Sequence, residues 1–207
     1  MINKTLGSLY FVLCTLCLAF CTSCSEKEEA GEYDNWKERN EHYLDSIASV
    51  AKTDDSWTKI KAYTLGDSLD LNGPNIYYIY VQKLEAGTGD YSPQQNDTVR
   101  VHYSVRYIPT EKYPSGYVFN KSFRGTTLNE SVDVPMRTGL TSVVVGFATA
   151  LMHMVQGDSW RVVVPYYLGY GDQNSTATGV PAYSTLIFEM KLARVYRYKI
   201  DTDSEWR

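Results

Sequence analysis

The chain has 207 residues, 43% hydrophobic and 21% charged, enough apolar material for one packed domain plus an extension. Its net charge is -4 and it has no basic run, so it lacks the electrostatic footprint of a nucleic-acid binder. The 18 tyrosines suit strands and half-wet pockets, because each has an apolar body and a polar tip.

Lys4 precedes an apolar run from Leu6 to Phe20, and all four cysteines (Cys14, Cys17, Cys21 and Cys24) lie in or just after it. A basic start, a short apolar core and small residues before a cleavage point are the layout of a secretory signal, here residues 1–23. The run is shorter than the ~20 residues that span a bilayer comfortably. The following "CTSCSEKEE" resembles a bacterial lipoprotein lipobox. Cys24 follows the small Ser23 and fits the lipidated position, whereas Cys21 follows the bulky Phe20. The resemblance implies a lipid on Cys24 and anchoring in the cell envelope of a Gram-negative bacterium, at the outer membrane. Cleavage before Cys24 would leave the folded part without a thiol, so disulfides and cysteine catalysis drop out. The acidic run Glu26, Glu28, Glu29 looks like an export signal of surface-exposed lipoproteins, or is a solvated spacer. The periplasmic face and the cell surface both stay open.

Residues 24–35 read as a polar tether. From Trp36 to Ala51 apolar residues recur at spacings of three and four, a helical face that Asp34 or Asn35 could cap. This helix opens an extension over 36–75, whose stretch 52–74 is mixed and carries turn signals at Gly66–Asp67 and Asn72–Gly73–Pro74. Strand character starts at Ile76 and runs to Leu84. From Val99 to Tyr107 period two is unbroken, which predicts a half-buried antiparallel strand. Trp160–Val164 and the alternation from Leu186 to Leu192 predict two more. Between the strands at 99–107 and 160–164, Phe147, Ala150, Leu151 and Met154 mark a short helix over Gly146–Met154. A helix of barely two turns is marginal alone, so it must be held by packing. About five strands and one short helix between them give an α+β class, the helix on one face of an antiparallel sheet. Residues 197–207 read as a tail.

Four segments then fall in order: "DTVRVHYSVRY", "GYVFNKSF", "VVVGFATALMHMVQGDSWRVVVPYYLGYGD" and "VPAYSTLIFEMKLARV". They resemble the successive signature segments of FKBP-type peptidyl-prolyl isomerases, over about residues 76–196. The resemblance implies a bent antiparallel sheet wrapped around one short helix, with an aromatic cavity between them. Carried over residue by residue, the cavity would comprise Tyr103, Phe119, Asn120, Val143, Val144, Phe147, Tyr170, Val180 and Phe188. Phe147 would form its floor, and the Tyr170 hydroxyl and the Val180 N–H would anchor substrate carbonyls. The family usually has Asp where this chain has Asn120, beside the tyrosine equivalent to Tyr170. It often has Trp where this chain has Phe147. A further wall position is guessed at Val134, and the loop "IPTEKYPSGY" is longer than the family's usual turn.

The implied activity is isomerisation of X–Pro bonds in exported client polypeptides, with no metal and no cofactor. The competing reading is a binding module that keeps the pocket without useful turnover. His42, His102 and His153 are scattered, which argues against a zinc site, and His102 is expected to face solvent or a loop. The first helix is a packing or dimerising element, a spacer from the membrane, or a contact for clients.

Overall fold

The computed structural model describes residues 31–66 and 72–198, so the signal segment, the lipobox, the start of the tether and the tail beyond Tyr198 lie outside the described residues. The elements are α1 (Trp36–Val50), β1 (Trp57–Lys61), β2 (Tyr78–Glu85), β3 (Thr98–Arg106), β4 (Val118–Lys121), β5 (Met136–Gly139), α2 (Val145–Leu151), β6 (Ser159–Val164) and β7 (Leu186–Tyr196). Among the described residues the seven strands form one sheet in the order β1-β2-β6-β7-β3-β4, with β5 also on β3. Every pairing is antiparallel.

The central strands alternate as period two requires, and both of their faces are used. Ile79, Val81, Val162, Val164, Leu186, Phe188, Met190 and Leu192 share one core with Phe147, Ala150 and Leu151 of α2. Their neighbours Tyr78, Tyr80, Val163 and Ile187 point the other way and form a second cluster with Leu44 and Ala48 of α1. A strand covered on both faces reads as continuously apolar, which is why "YIYV" at the start of β2 is fully buried.

The extension is therefore built into the sheet. The helical stripe of α1 (Trp36, Asn40, Leu44, Ala48) is buried against the chain's own strands. β1 adds to the edge of β2 in a stretch that the sequence left as mixed turns. β4 and β5, of four residues each, also escape the periodicity reading. Neither expected cap operates. Asn35 stands at the N-cap in a left-handed conformation (φ 50°) with no side-chain cap bond. The Asp34 carboxylate instead accepts from the Gly31 N–H at 2.7 Å. The strand expected from Ile76 begins as a 3-10 turn, Asn75–Tyr77, before β2 proper.

α2 is only 7 residues long, and all but its first are buried. Gly146 explains how closely it sits on β6. A Cβ there would lie 2.3 Å from Cγ1 of Val164, so only glycine permits this approach. The helix ends at Leu151, three residues before the expected Met154, which is nevertheless fully buried beyond the turn.

His102 is 3% exposed, so it faces a loop and not solvent. It lies on the face of β3 away from α2, where the segment joining β4 and β5 folds over it and Glu130 pairs with Lys191 at 2.7 Å. Burial pushes its pKa down, against the pull of Glu130 and Asp133.

Candidate functional site

A cavity of about 490 Å³ opens between the N-terminal end of α2 and the inner face of β3 and β7. β3 contributes Tyr103 and Val105, β4 Asn120, β5 Met136 and β7 Phe188. The approach to α2 contributes Thr141 to Val144, α2 contributes Phe147, and the loop after β6 contributes Tyr170. None of these wall residues carries a formal charge.

Phe147 is the floor. It is 2% exposed. The Tyr103 ring meets it edge-on at 5.7 Å and 83°, and the Phe188 ring at 5.1 Å and 66°. Two edge-to-face neighbours fix the ring plane and favour it energetically. Tyr103 and Phe188 reach it because Val105 pairs with Phe188 in register, which brings the inner faces of β3 and β7 together.

The rim is polar. The Tyr103 hydroxyl donates to Asn120 Oδ1 at 2.7 Å. Asn120 therefore orients Tyr103, where the resemblance led us to expect Tyr170. The cause is register: Asn120 pairs with Val105, two residues from Tyr103 on the adjacent strand. Burial raises the pKa of both hydroxyls, with Tyr170 adding to the rise at Tyr103, so both are neutral donors at physiological pH. Tyr170 is held by the turn that follows the 3-10 segment Tyr166–Leu168. Gly171 adopts φ 86°, its N–H donates to the Tyr166 carbonyl, and its own carbonyl accepts from the Tyr183 N–H at 3.0 Å.

Seven of the nine residues expected in the cavity line it: Tyr103, Asn120, Val143, Val144, Phe147, Tyr170 and Phe188. Phe119 and Val180 do not. The Phe119 ring stacks on Tyr107 at 4.5 Å and 19°, because the register shift between Val105 and Arg106 leaves Phe119 unpaired between Val118 and Asn120. The Val180 side chain is 1% exposed and belongs to the core, but its backbone is of more interest. Its carbonyl accepts from the Ser175 N–H, while its own N–H donates no hydrogen bond among the described residues. Val134, the guessed wall position, is 74% exposed, and Met136 two residues on takes that place. Val105 and Met136 were missed although period two from Tyr103 and Val134 pointed to them. Thr141 and Ser142 had no sequence signal. Among the described residues no group of three or more His, Cys, Asp or Glu is placed to hold a metal ion.

An uncharged aromatic floor with hydroxyl and amide donors at its rim suits a small apolar ring flanked by peptide carbonyls. Comparison with known proteins agrees with this geometry. The sequence is 33% identical over 103 residues to the FKBP-type 22 kDa peptidyl-prolyl cis-trans isomerase of Escherichia coli, covering 50% of this chain and 43% of that protein. It is 35% identical over 112 residues to the peptidyl-prolyl cis-trans isomerase Mip of Coxiella burnetii, covering 54% of this chain and 42% of that protein. The chain thus spans less than half of the length of either relative. The crystal structure of FkpA from Escherichia coli superposes with a TM-score of 0.56 over 94% of this chain and 71% of that one, at 21% identity, a likeness of fold. Residues 89–193, half of the sequence and all of the cavity wall, match the pattern described as FKBP-type peptidyl-prolyl cis-trans isomerase, and the chain belongs to that family.

Proposed function

We propose that the protein is a peptidyl-prolyl cis-trans isomerase acting on X–Pro bonds of exported polypeptides, tethered to the cell envelope by a lipid on Cys24. The observation that carries the catalytic part is the Phe147 floor, wedged between Tyr103 and Phe188 in an uncharged cavity. Rotation about an X–Pro bond breaks amide resonance and faces a barrier of ~18–20 kcal/mol. The twisted amide has lost resonance, and its carbonyl is less polar than in the planar ground state. A dry aromatic cavity therefore disfavours the planar form more than the twisted one, which is selective binding of the transition state. In this reading the Tyr170 hydroxyl at the cavity wall and the Val180 N–H, which donates no hydrogen bond among the described residues, hold the flanking carbonyls. The test is a protease-coupled assay on a short X–Pro peptide with the purified mature protein. Turnover at background would sink the proposal.

One observation favours the second reading, a binding module with weak or no turnover. The family's usual acid is replaced by Asn120, whose oxygen is taken up by Tyr103. Charged acceptors make hydrogen bonds roughly twice as strong as neutral ones. Asn120→Asp should therefore raise the rate, by about tenfold for each ~1.4 kcal/mol of added transition-state stabilisation. If the site serves binding alone, the rate should stay at background and pocket affinity should fall.

The anchor has its own test. Cys24→Ser should move the protein from the membrane to the soluble fraction, and Cys21→Ser should not. A soluble Cys21 variant would place the cleavage site wrongly. The outer membrane of a Gram-negative bacterium, on either face, is the compartment that this reading implies.

A further inference from the structure

α1 lies outside the matched family region, yet it grips the loop that carries Val180, one of the two carbonyl anchors proposed above. The Trp36 indole N–H donates to Ser184 Oγ at 2.9 Å, and Asn40 Oδ1 accepts from the Thr185 N–H at 2.7 Å, both buried. Asn40 is fully buried and is itself fixed, since its Nδ2 donates to the Trp36 carbonyl at 2.7 Å. Such bonds are costly to lose, because a buried partner left behind has no water to turn to.

These contacts lead on to the rim. The Ser184 hydroxyl passes its own hydrogen bond to the Pro181 carbonyl at 2.7 Å, next in the chain to Val180. Tyr183 immediately precedes the two gripped residues and has a left-handed conformation, φ 59°, which a bulky residue adopts only when its surroundings enforce it. From there its N–H holds the Gly171 carbonyl, next to Tyr170. One hydrogen-bonded path thus runs from α1 to Val180 and to Tyr170, the two proposed anchors for peptide carbonyls.

We propose that Trp36 and Asn40 are positioning residues for the cavity rim. By clamping the segment Val180–Thr185, α1 holds the Val180 N–H and Tyr170 in register for an extended peptide, and so sets affinity for the chain flanking the proline. This rests on the isomerase reading above. The helix would then be part of the peptide-binding apparatus of this protein as well as a cover for the back of its sheet.

The test compares three variants of the purified mature protein. Trp36→Phe keeps an aromatic ring and removes the N–H, together with part of the buried indole that packs on Tyr107. Ser184→Ala breaks the same bond from the loop side, and decides the matter if Trp36→Phe does not fold. Leu44→Ala lies on the same helix but packs on Tyr78, Tyr80, Val163 and Ile187, away from the loop. The readouts are amide hydrogen exchange over residues 179–185 and the KM and kcat for an X–Pro peptide, well below every Tm. Trp36→Phe and Ser184→Ala should speed exchange there and raise KM roughly three- to tenfold with kcat changed less than about twofold, the scale of one lost hydrogen bond acting on binding alone. The double variant should be no worse than Ser184→Ala alone, which already removes both the Trp36 bond and the Ser184–Pro181 bond. Leu44→Ala should leave both readouts at the wild-type level even if its Tm falls further. Unchanged exchange in Trp36→Phe and Ser184→Ala, or the same changes in Leu44→Ala, would overturn the proposal. If the wild type shows no turnover, the isomerase reading is what fails, and the exchange arm alone then supports or overturns the clamp.

Discussion

Phe147→Ala is expected to lose about 3–5 kcal/mol of folding stability, the range for truncating a core phenylalanine. For a domain of this size that corresponds to a fall in Tm of roughly 6–20 °C. The reason is position. Phe147 is 2% exposed, and its ring is in edge contact with both Tyr103 and Phe188. Its removal would leave those two rings without a common partner, and the cavity would gain volume on the side where an apolar ring should rest. Affinity for pocket ligands should fall with stability. Phe147→Leu separates the effects: it restores most of the volume, so stability should suffer less, while the altered floor still changes affinity. Denaturant unfolding and ligand titration on the two variants are the measurements. An alanine variant neutral in both would mean that this ring is not the floor.

Asp158→Ala should be of similar size, because Asp158 ties together two loops whose other link at that point is the Gly89 N–H to Gln156 carbonyl bond. It is 7% exposed, and its carboxylate accepts from the Gly87 N–H at 2.7 Å and the Val155 N–H at 2.8 Å. Hydrogen bonds to a charged group contribute about 1.5–3 kcal/mol each, so losing both should cost about 3–5 kcal/mol. The loops approach closely because Gly87 lacks a Cβ, which would lie 2.4 Å from the Gln156 carbonyl oxygen. Asp158 also fixes the exit from α2, as Val155 lies four residues beyond its last residue. Asp158→Asn keeps the volume and one acceptor and should fall between wild type and alanine. Thermal unfolding of the three proteins checks the order. An alanine variant as stable as wild type would show that water replaces the carboxylate without cost.

Local pattern alone determined several elements of this protein. β3 and β7 run to nine and eleven residues, long enough for period two to stand out. The three-and-four spacing in α1 and α2 did the same for the helices. The ordered motifs carried the family resemblance and named seven of the eleven residues that line the cavity. The tertiary structure decided the rest. β1, β4 and β5 have five, four and four residues, too few for a period, and exist only because β2 and β3 offer them hydrogen-bonding edges. Alternation states which face a side chain takes but not what covers it. Hence His102 was legible as facing away from Val101 and not as buried under the β4–β5 segment. For the same reason the motif "GYVFNKSF" singled out Phe119 but could not show that its ring stacks on Tyr107. The oxygen of Asn120 went to Tyr103 because strand register set the nearest hydroxyl. The role of α1 was least visible of all. Asn40 and Trp36 find their partners 145 and 148 residues away, and only the folded chain brings those groups within hydrogen-bonding distance.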